Sequence, residues 1–96
     1  MTVTELVQLK RDDIKRIAAA HGAHNVRVFG SVARQEAGSD SDVDLLIDLA
    51  STPSPWFPAG LILDLQELLG HRVDIVTERA LHTSLRDRIL REAVPL

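Results

Sequence analysis

The stretch Val26 to Leu49, VRVFGSVARQEAGSDSDVDLLIDL, constrains this chain more than any other. It reads as a strand, a glycine–serine turn, a polar loop and a second strand that opens with Asp42-Val43-Asp44. Val26, Val28 and Phe29 make a short β-branched and aromatic run, and Gly30 ends it. Leu45, Leu46 and Ile47 follow the acidic pair as an apolar run, the pattern of a strand covered on both faces. Carboxylates at i and i+2 on a strand point to one side. Like charges so placed repel and raise each other's pKa, so a fold does not put them there for stability. A hard divalent cation such as Mg²⁺ removes that cost, held by one or two carboxylates together with phosphate oxygens. Gly30-Ser31 supplies a second grip. Without a Cβ, Gly30 lets backbone approach a phosphate, and N–H groups in a turn opening a short helix from Val32 to Glu36 suit an anion. A lone DxD is more often a hairpin with an acidic loop. The GS turn at the end of the preceding strand, with Ser31 eleven residues before Asp42, reverses that reading.

The rest of the chain supplies a frame for these two grips. Thr2 to His21 is helical, with Thr4 a suitable N-cap and an apolar stripe of Val3, Leu6, Val7, Ile14, Ile17 and Ala18 that weakens near Lys10. Gly22 suits the residue after the helix stop. His21 and His24 straddle that stop without a carboxylate companion, so they read as surface or capping residues rather than metal ligands. Asp40 belongs to the polar turn before the second strand, where aspartate bonds nearby backbone, and Asp48 reads as a solvated strand end. Ser51 to Pro58 carries three prolines and reads as a surface loop. In it, Trp56 and Phe57 either cover the end of the core or form a contact patch; the core is the expectation.

Ala59 to Leu69 is the clearest helix, with Leu61, Leu65, Leu68 and Leu69 on one face and Gly70 as its stop. A third strand, Arg72 to Val76, carries Asp74 at its centre. A helix between strands two and three makes them parallel by the right-handed crossover rule, which brings Asp74 level with Asp42 and Asp44. Strands one and two must then be antiparallel to bring Gly30 to the same edge. The expected architecture is α/β, a mixed three-stranded sheet in the order 1-2-3 packed with helices. A final helix from Thr83 or Ser84 shows Arg86, Arg88 and Arg91 on what reads as a solvated face, and Val94-Pro95-Leu96 is a tail for the sheet edge.

Composition closes off several alternatives. Ninety-six residues suggest one domain spanning 1–96, and aromatics at 3% leave Leu, Ile, Val and Ala to build the core. No cysteine is present, which rules out a disulfide frame and a thiolate metal site and is compatible with a reducing cytoplasm. No apolar run approaches the roughly 18 residues of a membrane span, and no signal-peptide core is visible. A net charge of −3 argues against general nucleic-acid binding but not against one nucleotide held through a metal.

Gly30-Ser31, ten residues and then Asp42-Val43-Asp44 resembles the minimal nucleotidyltransferase family of the DNA polymerase β superfamily. Its small members are similar to nearly the whole chain, and many are antitoxins of HEPN ribonuclease toxins. Relatives often carry glycine after the arginine of GSxAR, where this chain has Gln35, a change expected to stiffen the phosphate loop without removing a ligand. The expected chemistry is transfer of a nucleoside monophosphate to a hydroxyl. Asp42, Asp44 and Asp74 would be the catalytic and metal-binding residues, with Mg²⁺ the ion, while Gly30, Ser31 and Arg34 would bind the nucleotide. The resemblance further implies ATP as donor and a tyrosine of a cognate HEPN toxin as acceptor. A rival is a binding antitoxin that neutralises its partner by occlusion, and a weaker one is an antibiotic-modifying enzyme, for which no acceptor domain is visible.

Overall fold

The N-terminal apolar stripe forms two helices rather than one, α1 (Val3–Leu9) and α2 (Arg11–Ala20). This computed structural model describes residues 1–50 and 55–96. The helix break falls at Lys10, where the stripe weakens and the backbone turns to φ −98°, ψ 9°. Thr2, not Thr4, caps α1: its hydroxyl accepts from the Glu5 amide at 3.1 Å, which only a residue in front of the first turn can do. His21 ends α2 and Gly22 takes a left-handed φ of +78°. The His21 ring meets Asp64 at 2.7 Å, tying α2 to α4 (Ala59–Leu69).

The sheet has four strands, β1 (Ala23–Phe29), β2 (Val43–Leu49), β3 (Val73–Thr77) and β4 (Val94–Pro95), in the order β3-β2-β1-β4. β1 and β2 are antiparallel and β2 and β3 parallel, as the helix-linked crossover through α4 requires. The three-strand expectation falls short by β4. Its two residues face Arg27 and Val28, and the Leu96 amide donates to Val26 O at 3.1 Å. A two-residue strand containing proline leaves no alternating pattern to read, and an edge is where proline is tolerated.

The two sheet faces differ in kind. One carries Val26, Val28, Leu45, Ile47, Val73 and Ile75 against Val3, Val7 and Ile14 of the N-terminal helices and Leu61, Leu65 and Leu69 of α4. Strand alternation turns Arg27, Phe29, Asp44, Leu46, Asp48 and Asp74 to the other face. Leu46 is fully buried there, apart from the main cluster. Asp48 is not a solvated end residue, because it accepts from Arg27 and Asn25, each at 2.9 Å. Arg27 also reaches Glu78 at 3.8 Å, and Glu78 accepts from Arg86 at 3.1 Å. This chain of charges ties the 3₁₀ turn Glu78–Ala80 and α5 (Thr83–Glu92) to the polar face.

α5 begins at Thr83, as expected, and His82 caps it: its ring accepts from the Ser84 amide. The aromatic pair divides, since Trp56 is 81% exposed while Phe57 packs against the core. The loop expected from Ser51 onward begins on Ser51, Thr52, Pro53 and Ser54, which lie outside the described residues. Among the described residues no helix is long and apolar enough to cross a membrane.

Candidate functional site

Register alone brings the sequence's two grips together. Phe29 at the end of β1 pairs with Asp44, and Asp44 pairs on its other side with Asp74. Gly30 follows Phe29 directly and opens the short helix α3 (Gly30–Ala33) with φ +71°. A Cβ on Gly30 would fall onto Asp44 Oδ2 and within 3.2 Å of its Cγ. The carboxylate therefore occupies the space that the missing side chain leaves, and only glycine fits both the backbone and the neighbour.

These residues open onto a cleft of ≈ 370 Å³. Gly30, Ser31, Arg34 and Asp44 form one wall, and Leu85, Arg88, Ile89 and Glu92 of α5 form the other. Asp42, just before β2, and Asp74, on the edge strand, are both exposed and stand outside that lining. Asp40 is exposed in its turn.

Glu92 is the residue that sequence reasoning missed. One carboxylate oxygen accepts from the Gly30 amide at 2.9 Å, and the other takes a short bond from Arg34 Nη1. Arg34 also donates to Glu36 at 3.0 Å. On α5, Glu92 follows a run of arginines and reads as part of a solvated helix face. Nothing local signals a contact spanning 62 residues.

The charges converge on Asp44. Its carboxyl is held above the ordinary value by burial first, then by the negative charges of Asp74 and Asp42, with Arg34 opposing. Burial pushes Glu92 up too, but the Arg34 bond, the Gly30 amide and the positive charges of Arg34 and Arg88 outweigh it and hold it below its ordinary value. Among the described residues no three carboxylate, imidazole or thiolate groups are gathered into a metal-sized cluster. The backbone sets Asp44 beside Asp74, while three unscreened like charges favour side chains that point apart. Hard oxygen donors and a carboxylate strained by its neighbours nonetheless fit a divalent cation, which relieves that repulsion.

Gln35 follows α3 with φ +59°, a left-handed conformation that glycine adopts freely and glutamine does not. The departure from GSxARG thus lies at a position whose backbone explains a glycine.

The chain matches the nucleotidyltransferase domain family over residues 10–96. The protein adenylyltransferase MntA of Thermococcus cleftensis is 36% identical over 94 residues, which cover 98% of this chain and 95% of that protein. A candidate protein adenylyltransferase of Methanocaldococcus jannaschii is 39% identical over 87 residues, covering 86% and 94%. Among solved structures, one assigned as a minimal nucleotidyltransferase superposes with a TM-score of 0.86 at 49% identity, over 100% of this chain and 97% of the other. A toxin–antitoxin structure with AMP-PNP gives 0.76 at 21% identity, over 88% and 69%. An MntA–HepT toxin–antitoxin crystal structure gives 0.70 at 21%, over 92% and 69%, and at such identities the likeness is one of fold.

Proposed function

The chain belongs to the nucleotidyltransferase domain family, and from that premise we propose that it transfers AMP from ATP to a protein hydroxyl. The observation that carries this reading is the position of Asp44. It is pressed against Gly30 on one side and paired with Asp74 on the other, where a phosphate grip and acidic ligands meet. Residues 1–96 are read as one nucleotidyltransferase domain.

Asp42, Asp44 and Asp74 would hold Mg²⁺. The ion, when bound, would neutralise triphosphate charge and the charge that develops on the attacking and leaving oxygens. Gly30 and Ser31 bind the β- and γ-phosphates, so that pyrophosphate is the leaving group. Arg34, beside them, offers a planar guanidinium to phosphate oxygens. Asp74, exposed at the sheet edge, is the carboxylate an incoming hydroxyl meets first, and it assists removal of the hydroxyl proton. Leu85 and Ile89 of α5 line the same cleft and exclude water on that side.

The acceptor is read as a tyrosine of a cognate HEPN-domain ribonuclease toxin, which modification would silence. The named activity of the two archaeal relatives and the fold shared with MntA–HepT complexes support this. A folded acceptor also suits Asp42 and Asp74, both of which are exposed to solvent. The reaction is placed in the cytoplasm, where ATP and Mg²⁺ are plentiful.

The test is mass spectrometry of the toxin encoded beside this gene after incubation with the chain, ATP and Mg²⁺. A gain of one or more AMP units is expected. Unmodified toxin that is still neutralised in cells would leave occlusion as the mechanism.

A further inference from the structure

Glu92 holds the groups that a phosphate needs. Its two oxygens engage the Gly30 amide and the Arg34 guanidinium as two oxygens of a phosphate would. Gly30 and Arg34 come from one wall of the cleft and Glu92 from the other, so the contact closes the cleft across its width. We propose that Glu92 is an internal stand-in for phosphate, a latch that competes with triphosphate and must leave Gly30 and Arg34 before a nucleotide can be gripped. The inference rests on the nucleotidyltransferase reading given above.

Electrostatics decide between a latch and a permanent brace. A carboxylate that stayed in place would keep the Gly30 amide and Arg34 occupied and add its negative charge beside the triphosphate, and Asp44 already feels the Glu92 charge as repulsive. Arg88, one helical turn earlier on α5 and lining the same cleft, already draws the Glu92 carboxylate by its charge. An i, i+4 pair with Arg88 gives Glu92 a place to go without moving the helix. Arg34 keeps its bond to Glu36 meanwhile, so it remains aimed when Glu92 departs. Solvent reaches the Arg34 side of the pair, where the side chain is 39% exposed, while that of Glu92 is 15% exposed.

Self-occupation lowers apparent affinity by the fraction of time the grip is taken. The experiment is calorimetric titration of Mg²⁺-ATP, and separately of Mg²⁺ with inorganic tripolyphosphate, into the parent chain, Glu92→Gln and Glu92→Asp. Glutamine removes the charge, and aspartate withdraws it by one methylene. Both variants are expected to bind both ligands more tightly, on the order of tenfold. The tripolyphosphate arm locates the gain at the phosphates rather than the base. Binding that is unchanged or weaker in the variants, beside a parent that binds, makes Glu92 a brace and sinks the latch alone. Silence from all three proteins with both ligands sinks the nucleotidyltransferase reading with it. Thermal melts accompany each titration. If glutamine prevents folding, aspartate carries the test, and failure of both to fold makes the contact structural and overturns the proposal.

Discussion

Asp44 and Asp74 stand opposite each other across the parallel ladder of β2 and β3, the first half-buried and the second open to solvent. Like charges directly opposed on a sheet weaken it, and at Asp44 burial first and then the Asp74 charge hold the proton more tightly than usual.

Mg²⁺ should therefore raise the melting temperature, and ATP should raise it further only when Mg²⁺ is present. At an excess of about 100 Kd the ligand contributes about 2.7 kcal/mol, upwards of about 10 °C for a domain of this size. Differential scanning fluorimetry with Mg²⁺, ATP, both and EDTA reads this. An ATP shift that survives EDTA unchanged removes the metal from the assignment.

Replacing Asp74 by asparagine keeps shape and removes one charge from the cluster. Folding should survive and ATP binding should weaken only modestly, because Asp42, Asp44, Gly30 and Ser31 remain. The transfer rate should fall on the order of 10²-fold or more, since charge control at the attacking oxygen matters mainly in the transition state. Single-turnover mass spectrometry of the acceptor, beside calorimetric ATP binding, separates the two effects. Equal losses in both would show Asp74 to be a binding residue only.

Gly30→Ala combines a left-handed backbone with a methyl group placed on the Asp44 carboxylate. The backbone alone costs about 1–2 kcal/mol, and Asp44 must also shift. Urea unfolding should show at least that loss, accompanied by loss of ATP binding. A variant as stable as the parent would mean that this turn is not held in the conformation described.

Gln35→Gly should have the opposite sign. Relief of the left-handed strain, about 1–2 kcal/mol, exceeds the added freedom of the unfolded chain, about 0.5–1 kcal/mol. A net gain of up to about 1.5 kcal/mol in urea unfolding is expected. Gln35→Val should lose stability instead, because a β-branched residue tolerates positive φ least.

Glu92 gives a pH signature. Its carboxyl is lower in the folded chain than its ordinary value of 4.5, so the unfolded state binds its proton more readily. The stability it adds is complete above that ordinary value and is lost as pH falls through the depressed folded value. Parent and Glu92→Gln should therefore differ in urea stability at neutral pH and converge only once the pH has fallen below the depressed folded value. A difference that persists into acid would assign the contact to packing rather than charge.

The site's acidic half was legible because a strand's alternation and a crossover rule fix register without any distance being known. Val43 and Val73 as partners bring Asp44 and Asp74 level, and the GS turn ends the neighbouring strand beside them. Glu92 was not legible. Its partners are distant in sequence, and on an arginine-rich helix a glutamate looks like a solvated ion pair. The same limit hid Asp48, whose partner Arg27 is chosen by strand pairing rather than by neighbours in sequence. Val94 to Leu96 reads as a tail for the sheet edge, where it pairs as β4, but two residues cannot display the period that marks a strand. Hydrophobicity points Trp56 to the core, but aliphatic side chains fill the core and Trp56 stands outside it.

Among the described residues β3 has a partner strand on one side only, so its outer backbone groups form an open edge. Such an edge invites pairing with another molecule's strand, a route to aggregation that charged side chains discourage. Arg72 and Asp74, both exposed, stand at the head of this edge. The carboxylate proposed for the reaction is thus also one of the charges that discourage pairing at this edge.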